Sequence, residues 1–312
     1  MRKNTFAKNL KNEFKWLLFV LPLILMILVI SYYPIFYAFY GSFRRVPEMA
    51  EVFNSPFTGL DNYRFMLNDP RFGQATFITF ALMGWSLVYI PLSFVIAYAI
   101  NSFGKSRLQS VFRIAFFAPY VIPSVATLMI FQVFLQTSGG ALNSLLSIIA
   151  GQEIAVGFLS DPNIARMGVS IISNYSSLPF GIIICMAGLQ TIPQEILESA
   201  EMDGANTLQR LFHIVVPNMK GIFTFLLVMQ VINGFQRITD LIIIGMGWPT
   251  GFPGGSLMSL MMLIYQQSFF RQGAIELNAN FGVVYAMTIS LFLMIMMVTL
   301  LNLFLTRKKS DG

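Results

Sequence analysis

Two groups of hydrogen-bonding side chains lie inside stretches that are otherwise apolar. One is the run Asn174-Tyr175-Ser176-Ser177. The other combines amides, an arginine and an acid in the set Gln230, Asn233, Gln236, Arg237 and Asp240. If these stretches cross a membrane, their polar groups should face the bundle interior or a wet cavity. Amides, hydroxyls and carboxylates suit the hydroxyl groups of a sugar, and an aromatic ring such as Tyr175 suits its apolar face.

We therefore predict a solute pathway lined by Asn174, Tyr175, Ser177, Gln230, Asn233, Gln236, Arg237 and Asp240. The alternative is hydrogen bonding between helices, with Arg237 and Asp240 forming an ion pair three residues apart. The pattern alone leaves both interpretations open. Pro91, Pro119 and Pro123 predict kinks in the neighbouring helices.

Residues 195–217 form a charged segment between two apolar stretches. Its acids recur every third residue and form one strip on a helix: Glu195, Glu198 and Glu201. Its second half has an apolar face that we expect to hold the segment to the membrane helices: Leu208, Leu211 and Phe212, before Pro217.

The helix boundaries of this segment follow from its capping residues. Thr191-Ile192-Pro193-Gln194 fits a capping box with the threonine as N-cap and the proline in the first turn. Gly204 provides the positive φ that ends a helix at low cost. Asn206 or Thr207 can cap a second helix. The segment is predicted to be a helix, a glycine turn and another helix.

The elements that must position these residues are membrane helices. Of the 312 residues, 56% are hydrophobic and 11% are charged, whereas a soluble domain has about 25% charged residues. Six stretches reach the roughly 20 apolar residues that a span needs, at about residues 16–40, 75–100, 112–135, 166–190, 218–244 and 282–306. The shorter run from Leu257 to Phe270 predicts a re-entrant or interfacial helix.

The positions of lysine and arginine predict the orientation, because short loops rich in them stay cytoplasmic. The segments predicted to be cytoplasmic contain Arg2, Lys3, Lys8, Lys11, Lys15, Lys105, Arg107, Arg113, Arg210, Lys220, Arg307, Lys308 and Lys309. The outer segments contain Arg44, Arg45, Arg64, Arg71, Arg166 and Arg271. Both termini are therefore predicted to be cytoplasmic, and so is the segment 191–217.

The predicted fold is an all-α polytopic membrane bundle. It comprises a cytoplasmic N-terminal segment 1–15, a transmembrane domain 16–306 with the cytoplasmic loop 191–217, and a cytoplasmic tail 307–312. The basic residues lie where the orientation rule places them, which argues against nucleic-acid binding.

The sequence lacks the residues that several kinds of functional site require. With Cys185 as the single cysteine, this chain alone cannot build a disulfide framework or a cysteine metal site. The sequence has no G-x-x-x-x-G-K-[ST] loop to hold nucleotide phosphates. We interpret the lone His213 as a surface or interface residue. No catalytic or metal-binding residue is predicted.

The loop sequence E-S-A-x-x-D-G-A from Glu198 to Ala205, followed by I-V-V-P from Ile214 to Pro217, resembles the EAA loop of ABC importer permeases. The resemblance extends to FTGLDNYRFMLNDPRF at 57–72, FRIAFFAPYVIPSVA at 112–126 and GGALNSLL at 139–146. These segments are similar to carbohydrate-type permeases related to the maltose transporter subunits, and GLDNY is typical of the first of the two partner permeases. The departures are mild: Ser199 replaces alanine, Val216 leucine and Gly221 proline.

The resemblance implies a transport subunit without enzymatic activity in the bacterial inner membrane. Its implied partners are a second permease, two copies of a cytoplasmic ATPase that holds ATP and Mg²⁺, and an external solute-binding protein docked on the outer loops. It also implies a sugar as the solute and lipid as the surroundings. The implied coupling residues are Glu198, Ser199, Ala200, Asp203, Gly204, Ala205, Leu208, Leu211, Phe212 and Pro217.

Within that set the resemblance implies distinct roles. Glu198 and Asp203 would meet basic or donor groups of the ATPase, while Ala200 and Gly204 would permit close approach. Two alternatives stay open. One is a self-sufficient, ion-coupled transporter that uses Arg237 and Asp240, and the other is an importer permease for a solute that is not a sugar.

Overall fold

The computed structural model describes residues 18–49, 51–104, 106–245, 248–270 and 280–308. The predicted N-terminal segment 1–15 lies outside these residues, as do Lys105, Arg271 and residues 309–312 of the predicted tail. Within the described ranges the regular structure is helical, apart from one antiparallel bridge between Arg44 and Phe57. The all-α prediction is confirmed.

The helices are numbered in chain order, and α1 and α10 each include one π-helical turn. They are α1 Leu18–Gly41, α2 Asp61–Asn68, α3 Pro70–Ser86, α4 Tyr89–Ser102, α5 Arg107–Val121, α6 Ser124–Phe134, α7 Ala141–Ala150, α8 Ala165–Leu189, α9 Gln194–Met202, α10 Thr207–Asn218, α11 Lys220–Phe235, α12 Thr239–Ile244, α13 Leu260–Phe269 and α14 Phe281–Lys308.

Four of the predicted spans correspond to helices long and apolar enough to cross a membrane, and two correspond to bent pairs. The four are Leu18–Gly41, Pro70–Ser102, Ala165–Leu189 and Phe281–Thr306. The predicted third span, 112–135, consists of α5 and α6, which meet at an angle of 95° just before Pro123, where a kink was predicted. The predicted fifth span, 218–244, consists of α11 and α12 and is interrupted at residues 236–238. A bend of 61° lies at its start, between α10 and α11. The short helix expected within 257–270 is present as α13.

The bend between α5 and α6 follows from proline chemistry. The residue before a proline is pushed out of the helical region, and Ile122 accordingly has φ −72° and ψ 132°. Pro123 then occupies the N-cap of α6. Pro91 lies in the first turn of α4, and the interruption between α3 and α4 falls at Leu87 and Val88, four and three residues before it. The ring of a proline clashes with the carbonyl four residues back. The helix is therefore interrupted where Pro91 was predicted to kink it.

Both π-helical turns precede a proline at the same distance. Leu28–Tyr32 lies just before Pro34, and Leu211–Val215 lies just before Pro217. A proline cannot donate to the carbonyl four residues back, so the hydrogen-bond ladder is already interrupted at these points. The wider π turn accommodates this interruption without ending the helix.

The chain divides into two compact units, Met1–Asp69 with Gln272–Ser290, and Pro70–Arg271 with Leu291–Gly312. In the first unit the buried Asn62 joins three segments. Its amide donates to the carbonyls of Ser42 and Arg44, both at 2.8 Å. It also accepts from Asn280 at 2.8 Å. The asparagine of the GLDNY sequence therefore has a structural role in this unit.

The second unit packs around α8. One apolar cluster joins it to α4 and α11 through residues such as Phe94, Met186 and Leu226. At Gly181 an added Cβ would lie 2.3 Å from the Ser93 hydroxyl oxygen. Glycine at this position therefore lets α4 and α8 approach closely, and close approach of small residues is how membrane helices associate.

Candidate functional site

Three helix interruptions lie beside the middle of α8. They lie between α3 and α4, between α5 and α6, and between α11 and α12. Discontinuous helices in transporters expose backbone groups and often mark the solute site. The polar residues of α8 and the end of α11 lie beside these interruptions, which places the two predicted groups in one region.

A cavity of about 270 Å³ lies at this region. Its walls come from the start of α6, the middle of α8, the end of α11 and the link to α12. The lining is Ser124, Leu128, Ile172, Ser173, Ser176, Ser177, Gln230, Asn233, Gly234, Gln236, Arg237, Ile238, Thr239 and Asp240. Its polar groups are hydroxyls, amides and one ion pair, which can exchange hydrogen bonds with a polyhydroxylated solute.

Arg237 ties this region together from the link after α11. Its guanidinium lies 2.5 Å from the Asp240 carboxylate, and the side chains are 8% and 17% exposed. It also donates to the Ser86 hydroxyl at 3.2 Å and to the Val169 carbonyl at 2.9 Å. The ion pair that the sequence offered as an alternative is present, and its charges cancel within the cavity wall.

Two predicted pathway residues do not line the cavity. Asn174 accepts from the N–H of Tyr89 at 2.7 Å and donates to the carbonyl of Trp85 at 3.0 Å. It thereby satisfies backbone groups that the interruption between α3 and α4 leaves free. The Tyr175 ring packs against Phe131 with centroids 4.9 Å apart. Asn174 and Tyr175 therefore lie outside the lining of this cavity.

Four polar lining residues were not in the predicted pathway set, namely Ser124, Ser173, Ser176 and Thr239. Ser124 and Thr239 each begin a helix directly after an interruption, α6 and α12 respectively. Pro123 could have indicated Ser124, because a helix break at a proline can expose the next side chain to a cavity. Ser173 directly precedes the predicted run in α8, and the sequence does not show which face of this helix lines the cavity.

The second candidate site is the charged segment, and its first helix begins later than predicted. The Thr191 hydroxyl donates to the Gly188 carbonyl at 2.7 Å, so it closes the end of α8. Pro193 is the N-cap of α9, with φ −59° and ψ 129°. The capping box predicted at 191–194 is therefore wrong. Ser and Thr hydroxyls commonly bond such nearby carbonyls instead of the next helix.

The turn between α9 and α10 agrees with prediction. Gly204 has φ +83°, the Ala205 N–H bonds the Ala200 carbonyl at 2.9 Å, and the Gly204 N–H bonds the Glu201 carbonyl at 3.0 Å. This pair of bonds is a Schellman motif. Asn206 caps α10 in a reciprocal capping box with Gln209. Backbone hydrogen bonds and a side-chain capping box thus together define the turn between the two short helices.

An ion pair also bridges the turn. Arg210 lies 2.6 Å from Glu201, with side chains 24% and 66% exposed. Glu195 and Glu198 are exposed on α9. The acidic strip is therefore present, and one of its three members is neutralised within the chain. Such a solvent-exposed pair adds little stability by itself.

The predicted apolar anchor is only partly correct. Leu211 packs against the core cluster around α8, together with Leu197 of α9. Leu208 and Phe212, by contrast, are 64% and 62% exposed. Of the three predicted anchors, Leu211 alone packs on this cluster. Leu208 and Phe212 instead present apolar surface beside the acids.

The comparisons with known proteins agree with this architecture. The model of the family described as "Binding-protein-dependent transport system inner membrane component" matches residues 89–311. The arabinooligosaccharides transport system permease protein of Bacillus subtilis (strain 168) is 29% identical over 303 residues, 95% of this chain and 90% of that protein. The trehalose/maltose transport system permease protein of Thermococcus litoralis is 27% identical over 296 residues, 94% of each.

A solved structure has the same fold. It is the crystal structure of a bacterial ABC transporter involved in the import of the acidic polysaccharide alginate. One of its chains superposes with a TM-score of 0.80 at 22% identity, over 97% of this chain and 99% of that chain.

Proposed function

The chain belongs to the family of binding-protein-dependent transport system inner membrane components, and on this premise we propose that it forms half of the translocation pathway of an ATP-driven importer for a sugar or oligosaccharide. It is a multi-pass permease subunit of the bacterial inner membrane. The relatives at 29% and 27% identity are named for arabinooligosaccharides and for trehalose and maltose. Those names support the same class of solute here.

The proposed solute pathway is the cavity beside α8. Ser177, Gln230, Asn233 and Gln236 are the predicted residues that line it as hydrogen-bonding groups. Arg237 and Asp240 also line it, but they hold each other and neighbouring backbone. A lining of neutral hydroxyls and amides with one internally paired charge suits an uncharged polyhydroxylated solute.

The proposed coupling element is the segment 191–217, which would dock on a separate ATPase subunit that holds ATP and Mg²⁺. The observation that carries this proposal is the exposed helix–glycine turn–helix, which continues into the bent fifth span. Because α10 and α11 form one bent pair, a push on the segment would be transmitted toward the cavity at the end of α11. Exposed Glu198, Leu208 and Phe212 would contact the ATPase.

The remaining partners complete the proposal. A second permease would supply the other half of the pathway, and two ATPase copies would bind the two coupling segments. An extracytoplasmic solute-binding protein would deliver the sugar. Both termini and the coupling segment would face the cytoplasm, with segment 1–15 and tail 307–312 flanking the transmembrane domain 16–306.

The test uses the complete complex in proteoliposomes, with solute-binding protein and radiolabelled oligosaccharides. We expect ATP-dependent uptake and the same solute among co-purified ligands by mass spectrometry. Glu198→Lys should lower solute-stimulated ATP hydrolysis and ATPase-subunit retention about tenfold or more, because it reverses a charge at the proposed interface.

Glu153→Lys is the matched control, because it makes the same charge change on an exposed residue outside the segment. It should leave both quantities within about twofold. Equal activity of the two variants would show that the segment does not couple. Uptake by this chain alone, driven by an ion gradient and indifferent to ATP, would contradict the whole proposal.

A further inference from the structure

A second, larger cavity lies at the bend of the fifth span, away from the solute cavity. Its volume is about 660 Å³. The walls come from the end of α10, the first turns of α11 and the last turns of α14. The lining is Val216, Pro217, Lys220, Phe223, Thr224, Leu227, Asn302 and Thr306.

Two hydrogen-bond donors of this groove, the Lys220 ammonium and the Asn302 amide nitrogen, have no partner within the described ranges. The Thr224 and Thr306 hydroxyls donate to the carbonyls of Lys220 and Asn302, at 2.9 and 2.8 Å. The buried amide nitrogen of Asn302 has no hydrogen-bond partner among the residues that the structure describes. Lys220 makes no ion pair within the described ranges. An unpaired cation and an unpaired amide donor together favour an anion.

The rest of the groove is apolar and continues along the span. Phe223 and Leu227 follow Lys220 at helical spacing on one side of α11, so the wall changes from charged to apolar within two turns. The apolar run of α14 ends at Thr306, with Arg307 and Lys308 directly after it. The charged end of the groove therefore lies at the end of the apolar span, where the hydrocarbon core would meet the lipid headgroups. An amphiphile with an anionic head matches this division.

We propose that the groove binds one anionic phospholipid of the cytoplasmic leaflet. Its phosphate contacts the Lys220 ammonium and the Asn302 amide, and an acyl chain lies along Phe223 and Leu227. The choice of leaflet rests on the orientation proposed above, and the anionic surface of that leaflet supplies the ligand. The groove adjoins Met219, between α10 and α11, so the lipid occupies the bend of the pair that carries the coupling segment.

The experiment is lipid retention by the complete purified complex in nanodiscs, without ATP or solute. The complex is equilibrated with mixed phosphatidylglycerol and phosphatidylcholine, and bound lipids are counted by native mass spectrometry. We expect one phosphatidylglycerol retained through this site. Lys220→Gln should weaken its binding about fivefold, the usual effect of one basic residue near an anionic surface. Asn302→Leu should weaken it independently by removing the amide donor.

Arg107→Gln is the matched control, because it removes one exposed basic charge that does not line the groove. Equal retention in Lys220→Gln and Arg107→Gln would overturn the site, and so would equal retention of the two lipids. A photoreactive side chain at Thr306 should crosslink lipid. Crosslinking to the second permease would show instead that protein fills the groove.

This outcome is separable from the proposed function. If lipid is retained but the complex transports no sugar, the transport proposal fails and the lipid site stands. If transport occurs and retention is unaffected by either substitution, only the lipid site is wrong.

Discussion

Arg237 illustrates how one residue can serve structure within a solute cavity. It lies in the non-helical link between α11 and α12, yet its side chain is nearly buried and reaches α3 and α8. Guanidinium provides several donors in a fixed plane, so a single side chain can close contacts to three elements. Because Arg237 pairs with Asp240, these contacts explain why a charged side chain is present here, and no role in transporting a coupled ion is needed.

We predict that Asp240→Asn destabilises the protein by about 3 kcal/mol, because it leaves a buried guanidinium without its counter-charge. The measurement is thermal unfolding of the purified complex. The double variant Arg237→Met/Asp240→Leu should lose less stability than Asp240→Asn, since no uncompensated charge remains.

The control is the exposed pair Arg64–Asp61, whose side chains are 79% and 72% exposed. Asp61→Asn should change stability by at most about 1 kcal/mol. If Asp240→Asn were as mild as Asp61→Asn, the pair would not hold the link in place.

Asn174 shows why part of the site could not be predicted. Its polar character inside an apolar stretch was visible, and it correctly indicated a special role. The partners that define this role, Trp85 and Tyr89, belong to helices that precede it by more than eighty residues. A sequence pattern cannot tell whether a buried amide satisfies a solute or an interrupted backbone. Gln230 and Asn233 carried the same signal and do line the cavity.

At the scale of elements, turn and cap residues predicted more than hydrophobic periodicity did. Gly204 was predicted to end the first helix, and Asn206 was one of the two residues predicted to cap the second; both predictions agree with the structure because capping is local. The bend of 61° between α10 and α11, at the start of the fifth span, was not predicted, because the buried Met219 at this bend is recognisable only from the packing. The prediction that Thr191 caps α9 was wrong, because its hydroxyl donates to the carbonyl of Gly188 in α8 instead of accepting from an N–H of the next helix.

The turn at Gly204 provides a test at this scale. Its φ of +83° is unfavourable for side chains, although an added Cβ would meet no neighbour. Gly204→Ala should therefore cost about 1–2 kcal/mol locally, and Gly204→Asn should cost less because asparagine tolerates this conformation. Solute-stimulated ATP hydrolysis and the proteolysis rate of the segment should both follow the order Gly, Asn, Ala.

Gly221→Ala is the control, since this helical glycine also has open space around it. It should leave the segment unchanged or slightly more stable. If Gly204→Ala and Gly221→Ala behaved identically, coupling would not depend on the geometry of this turn and would depend on side-chain contacts instead.

At the scale of the molecule, the two candidate sites lie at opposite ends of one bent helix pair. The coupling segment ends with α10 and leads into α11, and the solute cavity is lined by the end of α11. Transport requires that these ends face different depths of the membrane, with the segment in the cytoplasm. The apolar stretches predicted six spans, and the described residues hold four such helices, or six if each bent pair is one span. The side of the membrane on which each loop lies rests on the distribution of lysine and arginine.

Single cysteines placed on either side of α8 test this topology, because α8 is one uninterrupted helix of 25 residues. The buried Cys185 is the one native cysteine, so background labelling by a membrane-impermeant maleimide should be low. Met202→Cys, at a position 88% exposed, should react in inverted vesicles and not in right-side-out vesicles. Glu153→Cys should show the reverse. Labelling of both from one side would mean that α8 does not cross the membrane, whereas exchange of the two patterns would invert the protein and place the coupling segment where no ATPase could reach it.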